Sequence, residues 1–236
     1  MPSNICSIRW VALTLESRLR IEGVSTAGVA APVVELEEDR ALLSIQPGRI
    51  TELVGDPGSG LTRLGLRLIA PHSRVAPVVA LDIRGWLSPE AAWETGVLPG
   101  RLVVVRCEDP LLWVKVMAAL LEGVQALYAE VPTRVRDGDL RRLAALTRAR
   151  RVAVAMRSMG PGLPGGLAYL RLRALGVTWE GADRGHGRLT RRRLVLEATG
   201  KGSGGMARRF EVEDEGTDAV RLVSDVVVGD RSANTA

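Results

Sequence analysis

From position 48 onward, short apolar runs alternate with stretches in which apolar residues recur every three or four positions. The runs predict strands at residues 50–54, 77–83, 102–106, 125–131 and 151–156. The stretches between them predict helices at 62–69, 88–95, 110–122 and 138–149. Strands that are apolar on both faces need cover on both faces, so this alternation predicts an α/β fold: a mainly parallel central sheet with helices on each side.

The pattern changes after Gly160. Further strands are predicted at residues 167–175, 190–198 and 206–212, and glycine-rich turns separate them. Strands joined by short turns without intervening helices favour antiparallel pairing. We therefore expect an antiparallel C-terminal edge on the sheet.

The two ends of the chain differ from this core. Residues 1–40 predict a helical stripe, followed by a Gly- and Ala-rich arm and an exposed acidic patch at 35–40. We place the core at 41–212 and a tail at 213–236. The apolar run in the tail has the right length for an added strand or for a docking peptide.

Composition narrows the class of protein. A chain of 236 residues can bury one sizeable core, and no apolar run is long enough to span a bilayer, so we expect a cytoplasmic protein. Cys6 and Cys107 are expected to be reduced, buried thiols. The formal net charge is +5, and Lys115 and Lys201 are the only lysines. This arginine excess indicates either a solvated surface or a face for phosphates or an acidic partner.

One glycine-rich stretch carries candidate chemistry. Residues 48–63 read GRITELVGDPGSGLTR, in which a predicted strand enters a turn with the spacing of a phosphate-binding loop. The loop positions are Gly55, Gly58, Gly60, Leu61 and Thr62. Leu61 stands where such loops carry lysine. Backbone N–H groups can still cradle a phosphate, but no ammonium neutralises it.

The order of motifs resembles the RecA recombinase family over residues 40–213. The resemblance rests on GRITELVGDPGSGLTRLGLRLIA, on PVVALDIRGWLSPEAAWETGV, on RLVVVRCEDPLLWVKVMAALLEGVQALYAEV, and on the late stretches GGLAYLRLRAL and RRRLVLEATGKGSGGMARRFEVE. It implies a RecA-like P-loop NTPase core.

The same resemblance implies that the catalytic positions have changed. Arg84 falls where the family has its catalytic glutamate, and Glu130 where an aspartate helps to hold magnesium. Arg157 and Ser158 replace the Asn-Gln pair that senses the γ-phosphate. Phosphoryl transfer depends on charge stabilisation, so we expect no ATP hydrolysis, no catalytic residue and no cofactor.

Two readings of the loop remain open. In the first, nucleotide binding is retained through Thr62, the loop amides and a neighbouring arginine, for which the candidates are Arg63, Arg67 and Arg84. In the second, the loop survives only as a strand-to-helix turn whose glycines allow close packing.

The family's DNA-binding loops are short in this chain, with VPTRVRD after Glu130 and GPGLPGG at 160–166. Strand exchange is therefore not expected. A basic zone could contact phosphate backbone weakly, although arginines of this kind are also common on solvated faces. Its members are Arg134, Arg136, Arg141 and Arg142.

A RecA-like core with these changes and a separate tail is similar to the ImuA family of bacterial mutagenesis cassettes. The resemblance implies a non-catalytic adaptor whose partners are an ImuB-like polymerase homologue and an error-prone C-family DNA polymerase complex, with RecA as a further candidate. Such a protein would join the nucleoid when recruited to damaged DNA. The alternative is a divergent ATP-dependent, DNA-binding RecA paralogue that regulates recombination or RecA filaments.

Other chemistry has little support in the sequence. His72 and His186 are the only histidines and lie far apart, and no C-x-x-C occurs, so no metal site is predicted. Most of the tryptophans are expected in the core. Trp86 and Trp179 lie within two residues of a glycine, and we expect these two to be exposed.

Overall fold

The computed structural model describes residues 7–10, 42–183, 186–214 and 220–226. The strands are β1 (Ser7–Trp10), β2 (Ile50–Val54), β3 (Val78–Asp82), β4 (Leu102–Arg106), β5 (Ala126–Val131), β6 (Ala153–Ser158), β7 (Leu170–Asp183), β8 (His186–Thr199), β9 (Arg208–Asp214) and β10 (Val220–Val226). The α-helices are α1 (Leu61–Ile69), α2 (Pro89–Trp93), α3 (Pro110–Gly123) and α4 (Asp137–Arg150), and short 3₁₀ turns occupy Ala70–Arg74, Pro99–Arg101 and Lys201–Ser203.

All ten strands form one sheet in the order β1-β4-β3-β5-β6-β2-β7-β8-β9-β10. The six strands from β4 to β7 in this order are parallel. Strand β1 pairs antiparallel with β4 at one edge, and β8, β9 and β10 follow β7 antiparallel at the other. The prediction of a mainly parallel sheet with an antiparallel C-terminal edge is confirmed.

Helices cover both faces of the parallel part, as expected. Helix α1 packs through Leu64 and Leu68 into a core that includes Tyr128 of β5. On the opposite face, α3 and α4 bury a second core, to which α3 contributes Trp113. The Asp109 carboxylate caps α3 by accepting the Leu111 N–H at 2.8 Å.

The strand and helix positions predicted from 48 onward agree with the structure to within a few residues, and three features differ. Strand β1 lies in a segment for which no strand was predicted. Strands β7 and β8 each have 14 residues, so their hairpin extends beyond the predicted ends. The tail's apolar run forms β10, which is the added-strand alternative. The predicted helical stripe, the acidic patch at 35–40 and Cys6 lie outside the described residues.

Several expectations about individual side chains are met. Trp86 is 76% and Trp179 46% exposed, whereas Trp113 is fully buried. Cys107 is a buried thiol. In the described part of the chain, no helix combines the length and apolar character that crossing a bilayer requires.

Candidate phosphate-loop site

The loop between β2 and α1 has the strand-turn-helix geometry that its sequence predicts. Gly58 and Gly60 adopt positive φ angles of 83° and 78°, a region that glycine enters without steric penalty. The Ser59 hydroxyl donates to the Asp56 carbonyl oxygen at 2.6 Å, which closes the turn. Gly60 is the N-cap of α1, and the first amides of the helix lie at the carboxyl edge of the sheet.

Leu61 contributes nothing polar to this loop. Its side chain is fully buried and belongs to the core beneath α1. The Leu61 Cδ1 lies 3.0 Å from the point that a Cβ of Gly55 would occupy, so the leucine packs directly under the first loop glycine. Position 61 therefore supports the turn from below.

Arg157 is hydrogen-bonded to the hydroxyl of the loop threonine, Thr62. The Arg157 side chain projects from the end of β6 towards α1, and its Nη1 donates a hydrogen bond to Thr62 Oγ1. Arg157 is only 5% exposed, and its Nε has no hydrogen-bond partner among the described residues. Tyr128 lies beside the pair. The pKa of Tyr128 is raised above its ordinary value, mainly by burial and secondly by the charge of Glu130. The neighbouring Thr62 and Arg157 lower it by a smaller amount.

Arg84 and Glu130 pair with each other. The Arg84 guanidinium donates to both carboxylate oxygens of Glu130: Nη2 to Oε1, and Nε to Oε2 at 3.2 Å. The Glu130 side chain is 3% and the Arg84 side chain 22% exposed. The hydrogen bond to Glu130 raises the pKa of Arg84 above its ordinary value. Arg84 also stacks on exposed Trp86, with its guanidinium carbon 4.7 Å from the ring centroid.

These contacts decide whether the residues present fit a magnesium-nucleotide complex. The fold family implies such a ligand, with Thr62 and the carboxylate at 130 as the protein's magnesium ligands. Here a guanidinium is hydrogen-bonded to each of the two, and the lysine position is a core leucine. The two guanidiniums beside these oxygens would repel a magnesium ion, because like charges at such distances repel strongly. The residues do not fit the complex.

A third arginine covers the loop from the side. Arg192 of β8 places Nη1 1.8 Å from the point that a Cβ of Gly60 would occupy, so only glycine fits there without a rearrangement. The Arg192 guanidinium carbon lies 5.5 Å from the centroid of the Trp179 ring on the paired strand. The extended β7–β8 hairpin thus packs against the phosphate loop.

Ser158 does not join this group. Successive strand residues point to opposite faces of a sheet, and Ser158 accordingly faces away from Arg157. Its hydroxyl donates to Glu52 Oε1 at 2.7 Å. Glu52 is fully buried and also accepts from Arg171 Nε at 2.6 Å and from the Leu163 N–H. This network was not predicted from the sequence, although an ionisable residue inside the apolar run ITELV is a signal for one.

The network holds the segment at 160–166 in place. Leu163 is buried, its N–H and its carbonyl oxygen are both hydrogen-bonded, and Arg171 Nη2 donates to that carbonyl at 2.8 Å. A Cβ on Gly160 would lie 3.4 Å from Thr133, so this segment and the turn after β5 are in contact. Both short loops are packed against the body of the protein.

The predicted basic zone lies on the surface. Arg134 and Arg136 lie in the turn before α4, and Arg141 and Arg142 lie on the helix; all four are exposed and have no ion-pair partner in the described part of the chain. No three side chains of His, Cys, Asp or Glu converge as metal ligands would within the described ranges. The backbone of His186 lies in β8.

A cavity of about 340 Å³ adjoins the loop. Its lining includes Gly55, Asp56 and Pro57 of the loop together with Arg157 and Arg173, so two arginines and one acid adjoin it. Arg173 is exposed at the end of the β2–β7 pairing. The loop amides and these two arginines can accept an anion without a metal ion.

Two comparisons with known proteins find similarity, one to a solved structure and one to a family model. The crystal structure of the RadB recombinase superposes with a TM-score of 0.52 at 19% sequence identity, and the match covers 78% of this chain and 97% of that one. The fold is thus RecA-like. The model of the MT3502 N-terminal domain matches residues 44–162, half of the chain, and the protein belongs to that family. No curated protein matches.

Proposed function

We propose that this protein is a non-catalytic RecA-like adaptor in DNA damage tolerance, of the ImuA type, which scaffolds an error-prone translesion polymerase complex through protein–protein contacts. One observation carries the non-catalytic part: arginines are hydrogen-bonded to Thr62 and Glu130, the two side chains that would hold magnesium. Buried Leu61 removes the remaining stabilising charge. Losing one charge stabiliser in phosphoryl transfer lowers rates by about 10³-fold or more.

The partner assignment rests on the resemblance to ImuA. The partners we propose are an ImuB-like polymerase homologue and an error-prone C-family DNA polymerase complex, with RecA as a further candidate. The RecA-like fold supports an origin among proteins of DNA recombination. The proposed location is the cytoplasm, with recruitment to the nucleoid at damaged DNA.

The enzymatic part is tested by phosphate release. Purified protein with ATP and magnesium, with and without single-stranded DNA, should release phosphate at the same background rate as the Thr62→Ala protein. Activity that is clearly above background and abolished by Thr62→Ala would sink the non-catalytic assignment. The Arg74→Ala protein is the matched control, because Arg74 is exposed and follows the end of α1 that lies away from the loop.

The adaptor part is tested by co-purification. The ImuB-like homologue from the same genome, expressed with the tagged full chain, should co-purify in a defined ratio and at an ionic strength of about 0.15 M, where exposed charge contacts are screened. The tag alone is the control. No co-purification of either polymerase component would refute the adaptor role and leave the phosphate-release result unaffected.

The second candidate is a divergent ATP-dependent RecA paralogue. It is favoured by the intact loop geometry and by the adjoining cavity with Arg157 and Arg173. A ligand present at a hundred times its Kd stabilises a protein by about 2.7 kcal/mol, which for a chain of this size shifts Tm by about 5–10 °C. Millimolar ATP with magnesium should give no such shift if the adaptor assignment holds, and a full shift favours the paralogue.

A further inference from the structure

A second cavity lies at the opposite edge of the sheet from the phosphate loop. It has a volume of about 400 Å³ and is lined by residues 48–50, where β2 begins, by the last turns of α4, by residues 166–169 before β7, and by Gly200 and Lys201 after β8. Parallel strands start at this edge, and the phosphate loop follows the other end of β2. The two cavities are therefore separate sites.

Positive charge converges on this cavity from three elements. Arg49 precedes β2, Arg148 lies in the last turn of α4, and Lys201 follows β8; all three are exposed. No Asp or Glu lies among its lining residues, and none of the three cations has an ion-pair partner in the described part of the chain. The backbone of Arg151 also lies near this edge, with its Cα 3.7 Å from the Cβ position of Gly48.

Helix electrostatics account for part of this arrangement only. A helix carboxyl terminus favours cations in its last turn, which explains Arg148. It does not explain Arg49 or Lys201, which arrive from other elements. Arg151 has a φ of 54°, the only positive value of a non-glycine residue among those described, and this conformation costs about 1 kcal/mol. Unpaired like charges gathered around a concave surface are stabilised by an anionic ligand.

The floor of the cavity is apolar. Ile50 and Ala144 are buried, and Leu167 packs against the core of this face. Tyr169, the aromatic residue of the lining, is partly buried and has Arg49 over its ring, with the guanidinium carbon 5.0 Å from the centroid. Recognition of single-stranded nucleic acid usually needs free aromatic faces for base stacking, so this lining favours a peptide.

We infer that this cavity is a docking site for an acidic peptide segment of a partner protein, in which an apolar side chain lies between carboxylates. The carboxylates pair with Arg49, Arg148 and Lys201, and the apolar side chain fills the floor over Ile50 and Ala144. Charge-assisted hydrogen bonds of arginine to carboxylate give such sites their affinity and orientation. The inference is independent of the adaptor role, because peptide binding is measured on the purified full chain alone.

The test uses fluorescein-labelled peptides and fluorescence anisotropy at an ionic strength of about 0.15 M. The first probe is a Glu- and Asp-rich peptide with one central leucine; the second has serine in place of that leucine, and the third has Gln and Asn in place of all carboxylates. A labelled oligothymidylate of similar length is the nucleic-acid probe. The leucine-containing acidic peptide should bind at least about tenfold more tightly than each of the other three probes.

A pair of double variants locates the site. Arg148→Glu with Lys201→Glu should weaken binding of the first peptide by about tenfold or more. Arg141→Glu with Arg142→Glu changes the net charge equally, also on exposed residues, and should leave that binding within about twofold. Circular dichroism and Tm verify folding, and Arg148→Gln with Lys201→Gln replaces the first pair if its Tm falls.

Four outcomes would overturn the inference. The first is no binding of the first peptide at millimolar concentration. The second is an equal loss in both double variants, which would indicate attraction by net charge alone. The third is equal binding of the serine peptide, which would remove the apolar anchor. The fourth is preferential binding of the oligothymidylate that is lost in the Arg148–Lys201 variant, which would make the cavity a nucleic-acid site.

Discussion

Replacement of Arg84 by methionine removes the counter-charge of a buried carboxylate. The Glu130 side chain is 3% exposed, and its remaining donor among the described residues is the Ile83 N–H at 3.4 Å, a long hydrogen bond. Removing one partner of a buried ion pair costs about 3–5 kcal/mol. Arg84 is 22% exposed, so water can partly replace it, and we expect a loss of about 3 kcal/mol in the free energy of unfolding. For a chain of this size, Tm should fall by about 6–12 °C.

The assay is urea denaturation followed by tryptophan fluorescence and far-ultraviolet circular dichroism. Arg74→Met is the matched control, because Arg74 is exposed and no ion pair involves it in the described part of the chain; its effect should stay within about 0.5 kcal/mol. Adding Glu130→Gln to Arg84→Met should recover at least half of the loss, since it removes the buried carboxylate that Arg84→Met leaves unpaired. An Arg84→Met protein as stable as the control, or a double variant no more stable than the single one, would refute this account of the site.

Three further predictions address the loop and its surroundings. Gly60→Ala should cost about 2–4 kcal/mol, because a Cβ would meet the Arg192 guanidinium, whereas Gly58→Ala meets no atom within 4 Å and should cost only the backbone penalty of about 1 kcal/mol; equal urea midpoints would contradict this. Tyr128 has a raised pKa in the folded protein, so its contribution to stability is complete below about pH 10 and is lost as the pH rises further. Between about pH 9 and 11, the urea midpoint of the Tyr128→Phe protein should therefore fall less steeply than that of the unmodified protein. Parallel pH profiles of the two proteins would argue against this. Leu61→Lys alone should leave ATP hydrolysis at background and lower stability by about 2 kcal/mol or more, because the leucine is fully buried; phosphate release above the Leu61→Met level would show that the other positions are not limiting.

The architecture was predictable because it depends on repeated patterns. Five apolar strands with helices between them leave few arrangements other than a covered parallel sheet. Strand β1 was missed because four residues carry too little alternation to be distinguished from their surroundings. The hairpin of β7 and β8 was predicted too short because polar and glycine residues continue beyond Leu175, where a solvated strand and a turn look alike in sequence.

The positions of the candidate site were predictable, but their contacts were not. The spacing of the loop and the resemblance to RecA identified Leu61, Arg84 and Arg157 as altered positions. Which side chains they would touch depends on the pairing of strands far apart in the chain, as for Arg157 and Thr62. One part followed from strand geometry alone: the neighbours Arg157 and Ser158 had to face opposite sides of the sheet. The second cavity gave no signal, because its cations come from separate segments.

Arg157 and Arg84 bring positive charge to the two side chains that would hold a magnesium ion in the RecA-type site. A magnesium ion brings two positive charges to its ligands, and the guanidiniums of Arg157 and Arg84 together bring the same charge to Thr62 and Glu130. The electrostatic demand of the buried carboxylate is therefore met by the chain itself. A carboxylate at position 84 would place two acids together at this edge, and the folded state would oppose it. A lysine at position 61 alone leaves both guanidiniums in place, so we expect hydrolysis only when these positions change together.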